Sequence, residues 1–563
     1  MILKHINDIA AICAGHGIET AIISPGSRSA PITLAFNEHP AIDVKVVADE
    51  RSAAFIAIGM AQQQKKPVVL VCTSGSAVYN YAPAVAEAFY QEVPLLILSA
   101  DRPPEWTNQY DGQTIQQSGI FGKHVKGSYQ FPTEAKHSDD LWFSNRITNE
   151  AILSSDKHPK GPVHINIPLR EPFYPTDNEA ISFDSETRII SNTQIERTIN
   201  DSEWASLTQK FEQSSKRLVV VGQLEASESL NESLDKFSHD TNTIIINDII
   251  GNQHQRINAI QHQDAFLQPS KFEALVHLSP DLLITIGKSL ISKNLKIFLR
   301  DNPPTHHWHI HPADQVNDTL KHLTKSIKVE PQYFFHQLGK RSTASSDTDF
   351  NEKWLSLENE ARLKSSAFFE NCQFGEFQGV NVCLKALPTH SQLHLANSMT
   401  VRYANLIGLS QEIEVFSNRG TSGIDGSNGT AVGAALAQNK LVTLITGDMA
   451  FFYDRNAFWH DGDLRNLRII VLNNHGGGIF RMINGPKEQA DYTKLFETHQ
   501  PLNAKNTADD FGFEYHSRND ISGLGKLLQS FFNQNEKPKL LEIFSESEKN
   551  TEIFEEFKTQ FKA

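Results

Sequence analysis

Residues 441–480 read LVTLITGDMAFFYDRNAFWHDGDLRNLRIIVLNNHGGGIF. Two apolar runs, Leu441–Thr446 and Leu467–Leu472, have the length and composition of strands buried on both faces. The first ends in Gly447-Asp448, and the second in an asparagine pair followed by His475-Gly476-Gly477-Gly478. In open parallel sheets, ligands bind beyond the carboxyl ends of the strands. Asp448 and Asn474 stand at two such ends, twenty-six residues apart.

The same alternation of short β-rich runs and helical patterns extends outward from this stretch, which predicts α/β domains with doubly wound parallel sheets. A first domain, 1–180, carries strands at Glu19–Ser24, Val44–Ala48, Val68–Thr73, Pro94–Ala100 and Pro162–Ile167, with helices over Arg51–Gln64 and Val78–Gln91. A polar linker, Pro175–Gln194, leads to a central domain, 195–340. Its strands are Arg217–Val221, Thr243–Asn247, Asp281–Ile286 and His307–His311. After the tract Arg341–Glu352 and a helix from Lys353 to about Lys364, a third domain, 353–563, adds Glu414–Phe416 and Lys539–Phe544 to the two strands above. The first and third domains are candidates for a shared topology.

Composition narrows the function. Of 563 residues, 39% are hydrophobic and 21% charged, enough apolar material for a large core. The net charge of −14 argues against nucleic acid or an anionic membrane as partner. Cys13, Cys72, Cys372 and Cys383 form no CxxC pair, which fits reduced thiols. Neither a secretory pattern nor a run of the ~20 apolar residues a membrane span needs is present, so a cytoplasmic protein is expected.

Asp448 and the amide oxygen of Asn474 are oxygen ligands of the kind Mg²⁺ takes, with a backbone carbonyl near Gly476 as a third. The glycines would let backbone approach a diphosphate closely. Each residue alone reads equally as a helix cap or a turn; the pair on two strand ends favours a metal–diphosphate site. Arg28, Arg102 and Arg419 also fall just past strand ends. Singly each reads as a surface or ion-paired arginine, whereas three together in an acidic chain suggest a pocket for carboxylates.

The segment GDMAFFYDRNAF…LRIIVLNNHGGGIF resembles the GD-(about 26 residues)-NN signature of thiamine-diphosphate enzymes. SPGSRSAP (24–31), DERSAAF (49–55), CTSGSA (72–77), SADRPPE (99–105) and SNRGTSGIDG (417–426) are similar to the branch of that family that serves menaquinone biosynthesis. The resemblance implies thiamine diphosphate and Mg²⁺ (replaceable by Mn²⁺) as cofactors, with Asp448, Asn474 and Gly476 as metal ligands. It makes Glu50 the carboxylate that bonds N1′ of the aminopyrimidine, where the residue by itself reads as an acidic group in a helix's first turn. Ile424 becomes the wedge that bends the cofactor; a buried core residue is its other reading. Ser398, Arg402 and Arg419 are implied to hold 2-oxoglutarate, and Ser27, Arg28, Arg102, Gln113 and Lys293 to hold isochorismate. Ile479, Phe480 and Ile483 would wall the pocket.

The implied reaction is decarboxylation of 2-oxoglutarate and addition of the succinyl semialdehyde carbanion to isochorismate, in a homodimer or homotetramer whose sites lie between subunits. Relatives carry two adjacent bases where this chain has Lys293-Asn294; Lys296 is the next base along.

Two other readings stand beside this one. An acetolactate-synthase-like carboligase would take a small pyruvate donor, which has no need of Arg402 and Arg419 together. A relative that only binds a ligand would not need Glu50, Asp448 and Asn474 intact. HGGG (475–478) without a GxSxG elbow does not make an esterase, and GKS (287–289) lacks the first P-loop glycine. His307, His309 and His311 alternate on one strand face and read as packing rather than a Zn²⁺ site. The central domain has no GxGxxG and is expected to hold no cofactor.

Overall fold

The computed structural model describes residues 3–562 apart from 172, 176–179, 184–186, 255, 257–258, 343 and 484. Its strands form three six-stranded sheets, and every described strand pairing is parallel. In the first sheet the strands are β1 (Thr20–Ile23), β2 (Asp43–Val46), β3 (Val68–Cys72), β4 (Leu95–Asp101), β5 (Ser128–Gln130) and β6 (Val163–Pro168). The second has β7 (Arg217–Val221), β8 (Ile244–Asn247), β9 (Ala259–Ile260), β10 (Leu282–Ile286), β11 (His306–Ile310) and β12 (Lys325–Ile327). The third has β13 (Gln392–Leu395), β14 (Glu414–Phe416), β15 (Val442–Gly447), β16 (Leu467–Asn473), β17 (Glu514–Arg518) and β18 (Lys539–Phe544).

The first and third sheets have one topology: β2-β1-β3-β4-β6-β5 and β14-β13-β15-β16-β18-β17. In each, the strand order reverses beside the first strand, opening a crevice at β1/β3 and at β13/β15. The central sheet, β12-β11-β10-β7-β8-β9, has the other common doubly wound order and reverses at β7/β10.

Five strands had no signal in the sequence reading. β5, β9, β12 and β17 all lie at sheet edges, and all but β17 are only two or three residues long, too short to carry a hydrophobic pattern. β13 is different. It sits between β14 and β15 and is fully buried, yet reads QLHL. Gln392 is satisfied there by Gln63 Oε1 and Glu414 Oε2, both at 2.7 Å, and the ring of His394 stacks on Phe416.

The helix expected over Val78–Gln91 is two helices, Ser76–Asn80 and Ala82–Gln91. Pro83 supplies the break, because it cannot donate into the preceding turn and suits the first turn of a new helix. The helix expected from Lys353 begins at Thr348, capped by Asp347, and runs to Asn371. The described residues of 175–194 form no helix or strand; 176–179 and 184–186 lie outside the description.

One apolar cluster is continuous across the first and third domains, joining Ile22, Val47 and Phe55 to Ala431, Phe451 and Leu467. At its centre the helix Glu50–Gln64 crosses the helix Ser427–Ala437. These helices occupy matching places in the two domains, each following the strand at one edge of its sheet.

Candidate active site

Asp448 is the first residue of the helix Asp448–Tyr453, directly after β15, and is buried. Its Oδ1 accepts the Met449 N–H at 2.7 Å, and its Oδ2 accepts from the Gly476 N–H and from Gln500 Nε2, each at 2.9 Å. Asn474 follows β16, and its Oδ1 accepts the same Gly476 N–H at 3.1 Å. One backbone amide therefore brings the two side-chain oxygens together. The Asn474 amide is oriented from behind, because its Nδ2 donates to the buried Glu376 Oε1 at 2.6 Å.

Burial pushes the Asp448 carboxyl up to about 6, against the bonds it accepts from Gln500, Met449 and Gly476. Burial and then the Asp448 charge push Glu376 up to about 8. Among the described residues neither carboxyl has an ion-pair partner, and a divalent cation beside Asp448 would favour its ionised form over the neutral one that burial favours. A Cβ on Gly447 would meet open space, whereas Cβ atoms on Gly476 and Gly478 would lie 2.9 Å from the Glu497 carbonyl and 2.8 Å from Asn474 Nδ2. The donor set and the open space at Gly447 fit a hard cation and a diphosphate; the Gly476 carbonyl, which receives the Gly478 N–H at 3.1 Å, stands beside them.

Glu50 opens its helix after β2, is half-buried, and accepts from Asn80 Nδ2 at 3.1 Å. Its neighbours tie it to the third domain of the same chain. Asp49 accepts from Asn456 Nδ2 at 2.8 Å, and Arg51 lies 3.8 Å from Asp454 with its guanidinium over the Tyr453 ring. Asn456 and Tyr453 belong to the segment that starts at Asp448. The first-domain helix that begins at Glu50 and the third-domain segment that begins at Asp448 are thus in contact within one chain.

Ile424 is not a core residue. It lies in the loop before the helix Ser427–Ala437 and is 37% exposed. In the same loop, Arg419 donates to Asn397 Oδ1 at 2.8 Å, while its Nε is buried with no partner among the described residues. Ser398 has φ +73°, a conformation costing a non-glycine residue roughly 1–3 kcal/mol. It precedes the helix Met399–Ile407, where Arg402 donates to the Ser398 carbonyl. Burial and the nearby Arg402 charge lower the pKa of Arg419. Two guanidiniums that oppose each other in this way, one with an unused donor, suit a ligand with carboxylates.

A second basic group lies past β1 and β4. Arg28 is buried, donates to the Leu169 carbonyl at 2.9 Å and lies 4.5 Å from the Phe173 ring centroid. Arg102 donates to the Gly112 carbonyl at 3.0 Å and faces Asp111 at 3.3 Å. Burial and the Arg102 charge lower the pKa of Arg28. Ser27 and Gln113 are exposed, and the Gln113 backbone, at φ +56°, lies where a Cβ on Gly75 would meet it at 3.2 Å. Lys293 is exposed at the start of the helix Lys293–Asp301 in the central domain. No hydrogen bond or ion pair among the described residues links the Arg28–Arg102 group to the Arg402–Arg419 group.

Asn294 has its own task. Its N–H and Nδ2 bond Asp264 Oδ1 and the Asp264 carbonyl at 2.8 and 2.9 Å, anchoring that helix start without a second base. Ile479 and Phe480 begin the short helix Ile479–Met482 after the glycines, with Ile483 at its end and 39% exposed. His307 and His309 share one strand face, as their alternation predicts, and both rings meet the Thr285 hydroxyl at 3.0 Å.

Sequence reasoning missed Glu376, Gln500 and Glu87. They bond the site across 98, 52 and more than 300 residues, and nothing local marks them.

Three family models match consecutive parts of the chain: the thiamine pyrophosphate enzyme N-terminal TPP-binding domain over 4–120, the middle domain of thiamine pyrophosphate enzymes over 183–395, and the C-terminal TPP-binding domain over 398–543. The fold and the site thus define a thiamine-pyrophosphate-dependent enzyme. A protein of Cytophaga hutchinsonii named 2-succinyl-5-enolpyruvyl-6-hydroxy-3-cyclohexene-1-carboxylate synthase is 46% identical, spanning 99% of this chain and 98% of its own. Proteins of the same name from Flavobacterium johnsoniae and Bacteroides thetaiotaomicron are 38% and 36% identical, over 98% and 99% of this chain and 97% and 99% of their own. The chain belongs to the 2-succinyl-5-enolpyruvyl-6-hydroxy-3-cyclohexene-1-carboxylate synthase family.

Proposed function

We propose that this enzyme decarboxylates 2-oxoglutarate and adds the remaining four-carbon fragment to isochorismate, giving the product in its relatives' name and CO₂. The observation that carries the reading is the convergence of Asp448 and Asn474 on the Gly476 N–H, on elements tied to the Glu50 helix. The side-chain oxygens of Asp448 and Asn474 and the Gly476 carbonyl would hold Mg²⁺, or Mn²⁺, against the diphosphate. Thiamine diphosphate, when bound, supplies the electron sink that decarboxylation needs.

The chain's own residues do the rest. Glu50 holds the proton at N1′ of the aminopyrimidine and takes it back. The exposed Ile424 would press on the cofactor and orient it. Arg402 and Arg419 fork onto the two carboxylates of 2-oxoglutarate, with the Ser398 hydroxyl beside them. A monocarboxylate such as pyruvate would leave one guanidinium unpaired, which disfavours an acetolactate-type reaction. Arg28, Arg102, Ser27, Gln113 and Lys293 hold the carboxylates and hydroxyl of isochorismate. Ile479, Phe480 and Ile483 cover the reacting carbons and keep out water.

No helix among the described residues is long and apolar enough to cross a membrane, and we place the enzyme in the cytoplasm as a homodimer or homotetramer. Tyr79, Tyr453 and Trp459 support self-association: each is at least half exposed, near the Glu50 helix. The deciding experiment supplies 2-oxoglutarate, isochorismate, thiamine diphosphate and Mg²⁺, and follows CO₂ release and product mass. Coupled CO₂ and adduct are expected; an adduct formed from pyruvate at an equal rate would refute the donor assignment. Light scattering of the holoenzyme reads the subunit number, and a monomer at working concentration would refute the assembly.

A further inference from the structure

The loop that carries Arg419 and Ile424 does not hold itself in place. Its backbone is gripped from the first domain by Glu87, a buried residue of the helix Ala82–Gln91. Glu87 Oε1 accepts the Gly420 N–H at 2.7 Å. Oε2 accepts the Thr421 N–H at 2.6 Å and the Thr421 hydroxyl at 2.5 Å. A fourth donor, Gln91 Nε2, reaches Oε1 at 2.6 Å.

Position 420 has to be glycine for this approach, since a Cβ there would lie 2.6 Å from the Glu87 carbonyl and 3.1 Å from its carboxyl carbon. The grip continues on both sides. Gln91 Nε2 lies 3.3 Å from Asn418 Oδ1, and Gln223 of the central domain donates to the Ser417 carbonyl at 3.0 Å and to Gln91 Oε1 at 3.1 Å. All three domains therefore meet on residues 417–421, with one carboxylate at the centre.

Among the described residues Glu87 has no ion-pair partner within 4.0 Å; its charge is met by two backbone amides, a hydroxyl and a carboxamide. Charge-assisted bonds of this kind are about twice as strong as neutral ones. An amide in its place would turn an NH₂ group toward N–H donors. The carboxylate is thus matched to this loop in a way that its nearest isostere is not.

We propose that Glu87 is a positioning residue of the active site, fixing the 417–426 loop so that Arg419 and Ile424 stand at the height that donor and cofactor require. This rests on the cofactor reading above, so the test has an arm that does not depend on it. In the protein without cofactor, hydrogen exchange at the Gly420 and Thr421 amides reads the clamp directly. Glu87→Gln should speed both, and unchanged exchange would overturn the clamp whatever the enzyme's reaction.

Calorimetric titration with thiamine diphosphate at fixed Mg²⁺ reads the consequence. Glu87→Gln should weaken binding by about tenfold or more, as the loss of a charge-assisted bond implies. Faster exchange with affinity within about twofold of wild type would overturn the positioning role. Wild-type protein that binds no thiamine diphosphate would instead sink the cofactor reading, and the positioning role with it, leaving exchange to judge the clamp. Should Glu87→Gln fail to fold, Thr421→Val decides, because it exchanges only the hydroxyl, for a methyl group. A smaller weakening, roughly two- to fivefold, is expected, and no change in either measurement would overturn the proposal.

Discussion

Gly59 and Gly433 are each pressed against the backbone of the other's helix. A Cβ on Gly59 would lie 2.0 Å from the Thr430 carbonyl oxygen, and one on Gly433 2.0 Å from that of Ile56. The two domains that share a topology approach here as closely as backbones allow, and Glu50 opens one of the helices that make the contact.

Gly59→Ala should therefore destabilise the protein. Alanine is favoured over glycine in a helix by roughly 1 kcal/mol, but the clash is with main chain on both sides, and overpacking typically costs about 1–3 kcal/mol. The helices must part, so thermal midpoint and cofactor affinity should fall together. A variant that melts later than wild type would show that the crossing has room to spare.

Glu50→Gln should leave the fold intact, since the amide still accepts from Asn80. Turnover should drop by roughly 10²–10⁴, the range for a lost proton-transfer group. Steady-state rates of CO₂ release check this, and full activity would remove Glu50 from the mechanism.

Asp448→Ala should abolish Mg²⁺-dependent retention of thiamine diphosphate, because it deletes the carboxylate proposed to bind the metal and takes an acceptor from the Gly476 N–H and from Gln500. Titration with and without Mg²⁺ measures it. Equal affinity in both conditions for wild type and variant alike would place the cation elsewhere.

Asp454 should make stability depend on pH. It is fully buried, accepts the Gly429 N–H at 2.9 Å and faces Arg51 at 3.8 Å, and burial pushes its carboxyl up to about 7. The unfolded chain releases that proton near pH ~4. Between these values the folded state binds a proton that the unfolded state does not, so this group's contribution to stability falls as pH rises and levels off above the folded value. The slope is at most about 1.4 kcal/mol per pH unit. Denaturation of wild type and Asp454→Asn without cofactor, at a series of pH values across this window, should show the variant gaining on wild type as pH rises. A constant difference would mean that Asp454 is ionised throughout.

Arg402→Ala should raise the KM for 2-oxoglutarate by about ten- to a hundredfold, the equivalent of one charge-assisted pair, and leave that for isochorismate nearly unchanged. Equal shifts in both would show that the two arginine groups do not divide the substrates.

Much of the site was legible because it lies at strand ends. Asp448 and Asn474 each follow a mostly apolar run, and a parallel strand buried on both faces needs such a run to offset its desolvation and ordering costs. Glu50 was legible as a helix start and Arg28, Arg102 and Arg419 as charges past strands, since local pattern records where an element stops. β13 was not, because Gln392 and His394 owe their burial to partners that only the assembled sheet supplies.

The amino-acid sequence by itself determined three parallel α/β units and which side chains stand at the mouths of their sheets. Both follow from the period and length of apolar runs, which are local quantities. Only the tertiary structure decided that Glu376 turns Asn474, that Glu87 holds the Arg419 loop, and that two glycines let the outer domains meet. Those contacts join residues that are remote in the chain, and their energies depend on distance and direction in space, which spacing along the sequence does not encode.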